Sequence, residues 1–390
     1  MKKKVKRKRL HNRMKEINPY KIGSRILNKN NRILYKYLYY KSVQNNREIP
    51  VIKRVKGPYL YDFDQNRYVD FYMSGGNLIM GHVVSQFTKI VKSWFNRGYS
   101  SGYPYLQSNQ MLADRLGKMF DIYGREYYYL FFLNSPEDAF LSALYLLKVF
   151  GLRAGGYFTG QYSGKYYEIF GLKNAKINYS DEDYDFLIFK PETEELLHQA
   201  DLLINKDKDK NLVTVMDERD FPSVYLQHNL NRWLDADIRI LGNWISSGYD
   251  FGAVLVSKNI LNSFFNGYSG LLYYLNNFRF PPLYKIKGAI AFLSTLVKKG
   301  GIKKLGELQR FFIEEINRID NNKGSYFIMD GGLIFLNKDK IKDYDGFWYR
   351  MIKNGYYFPY NCELPVFVSL GCEKEMLKKT AKDLCRVLVG

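Results

Sequence analysis

The chain has 390 residues, enough for one large domain, a smaller one and a sizeable core. Hydrophobic residues make up 46% of it and no low-complexity tract occurs, which excludes a disordered chain. The net charge of +20 is unevenly spread: Lys2, Lys3, Lys4, Lys6, Arg7, Lys8, Arg9, Arg13 and Lys15 supply nine positive charges without an acid, leaving +11 elsewhere.

Residues 1–23 therefore read as a basic tail. Residues 2–15 are either a solvated extension or an anchor on a polyanion, an acidic protein or a membrane surface. No apolar segment of a signal peptide follows, and no run reaches the ~18 apolar residues of a membrane span, so a cytoplasmic chain without a transmembrane segment is expected. Residues 24–73 form an N-terminal segment, with a helix expected over 24–42 and a β-hairpin over 50–72. In the hairpin, Val51 to Val55 alternates, Asp64-Gln65-Asn66 turns, and Tyr68 to Phe71 returns.

Helical spacing then predicts helices over 83–97 and 108–120. The unbroken apolar run Tyr127 to Leu133 predicts a buried strand. A helix is expected from Glu137 to Phe150, with Ser135 as N-cap, Pro136 in its first turn and acids beside them. Strands at 184–189, 212–216, 238–241 and 253–256, with a helix over 192–204, give the alternation of a mainly parallel sheet covered on both faces. Helices over 282–298 and 303–319 follow. Strands at 325–329, 332–336 and 365–369 and helices at 344–353 and 374–388 form a mixed end. The expected division is a large α/β domain over 74–305 and a small α+β domain over 306–390. Cys362, Cys372 and Cys385 fit a reducing compartment, and their spacing is not that of a zinc site.

Several motifs in this order resemble the class III pyridoxal-phosphate aminotransferases, and glutamate-1-semialdehyde aminomutase in particular. Tyr68-Val69-Asp70-Phe71 followed by Met80-Gly81-His82 is similar to the family's Tyr-Ile-Asp-Tyr and Leu-Gly-His. Phe132-Leu133-Asn134-Ser135-Pro136-Glu137-Asp138-Ala139 resembles Phe-Val-Asn-Ser-Gly-Thr-Glu-Ala. Val215-Met216-Asp217-Glu218 resembles Ile-Phe-Asp-Glu, Leu241-Gly242-Asn243 resembles Leu-Gly-Lys, and Asn354-Gly355-Tyr356-Tyr357-Phe358-Pro359 resembles Asn-Gly-Val-Tyr-Phe-Pro. The resemblance covers residue 24 to the C-terminus. It implies a fold-type I transferase: a mainly parallel sheet with helices on both faces, plus a smaller α+β lobe built from both chain ends.

The same resemblance locates a cofactor site and shows how far this chain departs from it. Pyridoxal phosphate needs a lysine for its imine, an acid against the ring nitrogen, donors for its phosphate and a flat neighbour. Asn243 stands where the lysine is expected and has no nucleophilic amine; Lys165 and Lys258 lie on other segments. Asp217 is either the ring acid or a buried carboxylate serving a neighbouring loop. Tyr162 either stacks on the ring or is one structural tyrosine among 35. Ser135 remains in the phosphate cradle, but Pro136 has no N–H to give. Glu137 would repel a phosphate by roughly 4 kcal/mol per unit charge at about 4 Å and an effective dielectric near 20. Arg219 replaces an apolar residue against the ring, Asn277 replaces a phosphate-binding threonine that the family takes from the partner subunit, and the segment between Tyr162 and Asp217 is short.

Two functions follow as expectations. One is a catalytically inactive homologue without cofactor, acting as a binding or structural partner, either as a homodimer or paired with an active paralogue. The other is an enzyme of altered, lysine-independent chemistry that uses pyridoxal phosphate or pyridoxamine phosphate.

Overall fold

The computed structural model describes residues 49–97, 106–121, 127–152, 155–158, 173–174, 184–191, 193–206, 212–220, 236–257, 259–260, 280–298, 300–320, 326–330 and 333–389. The basic block 2–15, the helix expected over 24–42, Tyr162, Lys165, Lys258 and Asn277 lie outside the described residues.

In chain order the elements are β1 (Ile52–Lys56), β2 (Tyr59–Asp62), β3 (Arg67–Asp70), α1 (Ser85–Phe95), α2 (Leu106–Asp121), β4 (Tyr127–Leu133) and α3 (Pro136–Val149). Then come β5 (Gly155–Phe158), β6 (Lys173–Asn174), β7 (Phe186–Phe189), α4 (Glu194–Lys206), β8 (Val213–Glu218), β9 (Ile238–Leu241) and β10 (Gly252–Ser257). The C-terminal part holds α5 (Leu283–Lys298), α6 (Gly301–Asp320), β11 (Phe327–Asp330), β12 (Leu333–Leu336), α7 (Tyr344–Lys353), β13 (Tyr356–Tyr357) and α8 (Lys374–Val389).

Seven strands form the larger sheet, in the order β4-β10-β9-β8-β7-β5-β6. The short strands β5 and β6 were not anticipated from the sequence. β10 runs antiparallel to both its neighbours, and the other pairings are parallel. The sheet is thus mixed, and the reason is local. A 3₁₀ turn at Asn243–Ser246, with Ser247 and Gly248 at φ 56 and 88, reverses the chain between β9 and β10 without a crossover helix.

Cover on both faces explains the apolar runs. Val254 and Val256 of β10 pack with Val215, Ile240 and the α3 residues Phe140, Ala143 and Leu147. The alternate residues Ala253 and Leu255 pack on the other face with Phe87 of α1, Leu112 of α2 and Ile286 of α5. A strand buried on both faces has no polar position to reveal its period.

The smaller sheet, β1-β2-β3-β13, is more than the expected hairpin. Asp62 fixes its turn by accepting from the Asn66 backbone at 2.8 Å, the Asn66 amide at 2.9 Å and the Tyr68 hydroxyl at 2.8 Å. β13 arrives from the far end of the chain and pairs parallel to β3. Beneath lies a second core, in which Phe71 stacks on Phe312 at 5.3 Å and on Phe358 at 5.0 Å. α6 spans both cores: Leu305 packs in the first, and Leu308, Phe312 and Ile316 in the second.

The strand expected at 365–369 is not formed; only an isolated bridge joins Val366 to Ile334. Its N–H groups go to three separate places. Val366 donates to Ile334, Phe367 to Phe71 and Leu370 to Ile79, so no single ladder exists. Replacing Phe71, which has no exposed surface, by alanine is expected to cost about 3–5 kcal/mol, read as a lower urea midpoint at unchanged slope.

Candidate active site

The carboxyl ends of β4, β8 and β9 meet the start of β10 at one edge of the large sheet; Leu133 pairs with Gly252, and Glu218 with Leu241. Ligands of open α/β sheets bind beyond such strand ends. Ser135, Asp217, Arg219 and Asn243 are all brought to this edge.

After β4 the chain enters α3 through its expected cap. Ser135 Oγ accepts from the Asp138 N–H at 3.0 Å, and Pro136 opens the helix. The one N–H that Ser135 satisfies is therefore taken, and Pro136 has none. Glu137 is exposed in the first turn, where its charge favours the helix dipole.

Asp217 sits at the end of β8 and is 1% exposed. Its Oδ1 accepts from Arg219 Nε at 2.9 Å and the Arg219 backbone N–H at 3.2 Å, and its Oδ2 accepts from Arg219 Nη2 at 2.7 Å. The same guanidinium lies over the Phe140 ring, 3.9 Å from its centre. Burial pushes the Asp217 carboxyl upward, but the charge and hydrogen bonds of Arg219, helped by the charge of Lys190, hold it below its ordinary value. A carboxylate lowered on folding adds stability that is complete at neutral pH and is lost as pH falls through the lowered value. Glu218 beside it is bound to Arg239 Nη1 at 2.7 Å, both side chains buried, and its carbonyl accepts from the Trp244 indole at 3.0 Å. Lys190, also buried, reaches Asp220 at 2.9 Å.

Two glycines let the backbones of this edge touch. A Cβ on Gly242 would stand 2.2 Å from the Arg219 carbonyl oxygen, and one on Gly252 would stand 2.3 Å from the Ser135 carbonyl oxygen. The loop after β8 is therefore pressed against the residue before Asn243, and β10 begins against the cap of α3. Asn243 is committed to its own loop. Its Oδ1 accepts from the Phe251 N–H at 3.0 Å, and its carbonyl accepts from the Gly248 N–H and the Ser246 hydroxyl, each at 2.9 Å.

One residue escaped the sequence reading. Lys285, near the start of α5, donates to the Asn134 carbonyl at 3.0 Å, beside the cap of α3. Burial lowers its affinity for the proton, against the opposing charges of Asp250 and Asp138. The available signal was a lysine one turn into a helix that buries Ile286, Ala289 and Ile290, directly after Pro281-Pro282.

No family model matches the chain. It is 22% identical to glutamate-1-semialdehyde 2,1-aminomutase of Saccharolobus islandicus over 395 residues, covering 86% of this chain and 90% of that protein. A 64-residue stretch, 16% of this chain and 24% of the relative, is 39% identical to an uncharacterized protein of Borreliella burgdorferi. Among solved structures, the adenosylmethionine-8-amino-7-oxononanoate aminotransferase of Methanocaldococcus jannaschii superposes with a TM-score of 0.73 at 15% identity, covering 94% of this chain and 99% of its own. The N-acetylornithine aminotransferase of Stenotrophomonas maltophilia gives 0.70 at 15% identity, with 90% and 98% covered. These similarities agree with the resemblance to class III pyridoxal-phosphate aminotransferases read from the motifs. The chain has the fold-type I architecture, with the mixed sheet described above.

Within this aminotransferase-like fold the described residues do not fit pyridoxal phosphate held as an imine at position 243. Asn243 has no amine, both Asp217 oxygens are engaged by Arg219, and Pro136 contributes no N–H. Introducing the amine alone does not repair this. Asn243→Lys is expected to give no aldimine absorbance with pyridoxal phosphate and to lose about 1–3 kcal/mol, because the Phe251 N–H loses its acceptor. Gly242→Ala, which drives a methyl group into the Arg219 backbone, is expected to cost roughly 1–3 kcal/mol by overpacking, measured by thermal melting.

Proposed function

We propose that this chain is a catalytically silent aminotransferase homologue that works by binding a protein partner, as a homodimer or beside an active paralogue. The observation that carries the reading is the closed Asp217–Arg219 pair: the acid available to a ring nitrogen already holds a cation of the chain's own. Asn243 supports it, since its side chain serves the loop and offers no nucleophile.

An apolar surface supports the pairing. Phe95 and Met111 are exposed on α1 and α2, Phe95 touches Tyr284, and Lys287 lies over the Trp94 ring. Clustered exposed apolar side chains of this kind mark interaction faces. Among the described residues no helix is long and apolar enough to cross a membrane. Three free thiols are consistent with the cytoplasmic setting that we propose. Residues 2–15 would add a second, salt-sensitive contact with an acidic partner or polyanion.

Lys285 favours the second reading, an enzyme with relocated chemistry, because it places an amine of weakened proton affinity beside the α3 cap. One experiment separates the two. The purified chain is mixed with pyridoxal phosphate, its absorbance is recorded, and the mixture is reduced with borohydride and mapped. The silent reading expects no stoichiometric aldimine band and no single modified lysine; stoichiometric labelling of Lys285 would overturn it.

A further inference from the structure

Arg219 does more than neutralise Asp217. Its guanidinium meets three constraints at once. It forks onto both carboxylate oxygens, at 2.9 Å and 2.7 Å, and it lies over the buried Phe140 ring with its carbon 3.9 Å from the ring centre. Its backbone cannot retreat, because Gly242 lies against the Arg219 Cα, C and O atoms. Only a planar cation with two parallel donors fits such a slot; an ammonium offers neither the fork nor the flat face. Phe140 sits on the first turns of α3 and Asp217 ends β8, so the slot joins a helix to the central strand. The arginine side chain is 14% exposed, so one side of the slot opens to solvent.

We propose that the slot between the Asp217 carboxylate and the Phe140 ring is a binding site for a planar cation, filled in cis by the Arg219 guanidinium, which completes this part of the fold. The inference deepens the silent-site reading and rests on it. It assigns a ligand class to the site, guanidinium-like cations, and it makes the stability of the chain depend on Arg219 rather than on pyridoxal phosphate. The side chain that closes the site to chemistry is then also the one that keeps a buried carboxylate from being left without a partner.

The test is chemical rescue on the full chain. Arg219→Ala is expected to lower the Tm by roughly 5–10 °C, as when one partner of a buried pair is removed. Millimolar methylguanidinium should restore at least half of that loss, while methylammonium at equal ionic strength should not. The double variant Asp217→Asn/Arg219→Ala, with no carboxylate to bind, should show no rescue. Arg219→Lys keeps the charge without the fork and should also melt lower than the native chain, which keeps the proposal testable if the alanine variant does not fold. Pyridoxal phosphate should leave the Tm of the native chain unchanged. The inference is overturned if Arg219→Lys melts like the native chain, if Arg219→Ala does so, or if methylammonium rescues as well as methylguanidinium. An aldimine band in the native chain would sink the silent-site reading. Absence of both the band and any guanidinium-specific rescue would sink this inference alone.

Discussion

A carboxylate at the end of a central strand, shut off from water, must have a positive partner in contact with it. Asp217 is such a group, and the cation it holds comes from two residues along the same chain. An ionised side chain in a low-dielectric interior costs several kcal/mol when left alone, and the pair offsets that cost at this edge of the sheet. Everything else at the edge is arranged around it. Phe140 lies under the guanidinium, Gly242 leaves room for the Arg219 backbone, and Asn243 closes the loop that follows.

The same principle operates one residue further on. Glu218 is buried and is met by Arg239 from the neighbouring strand, while Lys190 at the end of β7 reaches Asp220. Three cations thus converge on the acids that close β8. This arrangement leaves the acids at this end of the sheet in closed pairs. Those pairs lie where β7, β8 and β9 run in parallel register toward their carboxyl ends. The two cores, by contrast, are built from apolar residues on both faces of the sheet. Architecture and local pairing are therefore separable here: the apolar cores carry the fold, and the polar groups at this edge are held in pairs of their own.

Chain topology ties this edge to the rest of the molecule. The Phe367 N–H donates to the Phe71 carbonyl and the Leu370 N–H to the Ile79 carbonyl, joining the C-terminal segment to the loop that leads into α1. β13 completes a sheet begun three hundred residues earlier in the chain. Such long-range closure is set by many small contacts, none of which has a local signature.

The sequence by itself determined most of the helices and strands and the order in which they occur. Apolar runs such as those at 127–133 and 212–216 state a strand directly, and Ser135-Pro136 states a helix start, because these are properties of neighbours along the chain. It also determined that residue 243 carries no amine, since asparagine has none in any conformation. It left Asp217 with two open readings, gave no sign that Arg219 would fold back on it, and mistook residues 365–369 for a strand. The tertiary structure decided those points. Whether a carboxylate is free or paired, whether an extended segment finds one ladder or three acceptors, and whether Lys285 meets Asn134 all depend on which distant backbones are brought together. That is fixed by packing across the sheet and not by local pattern.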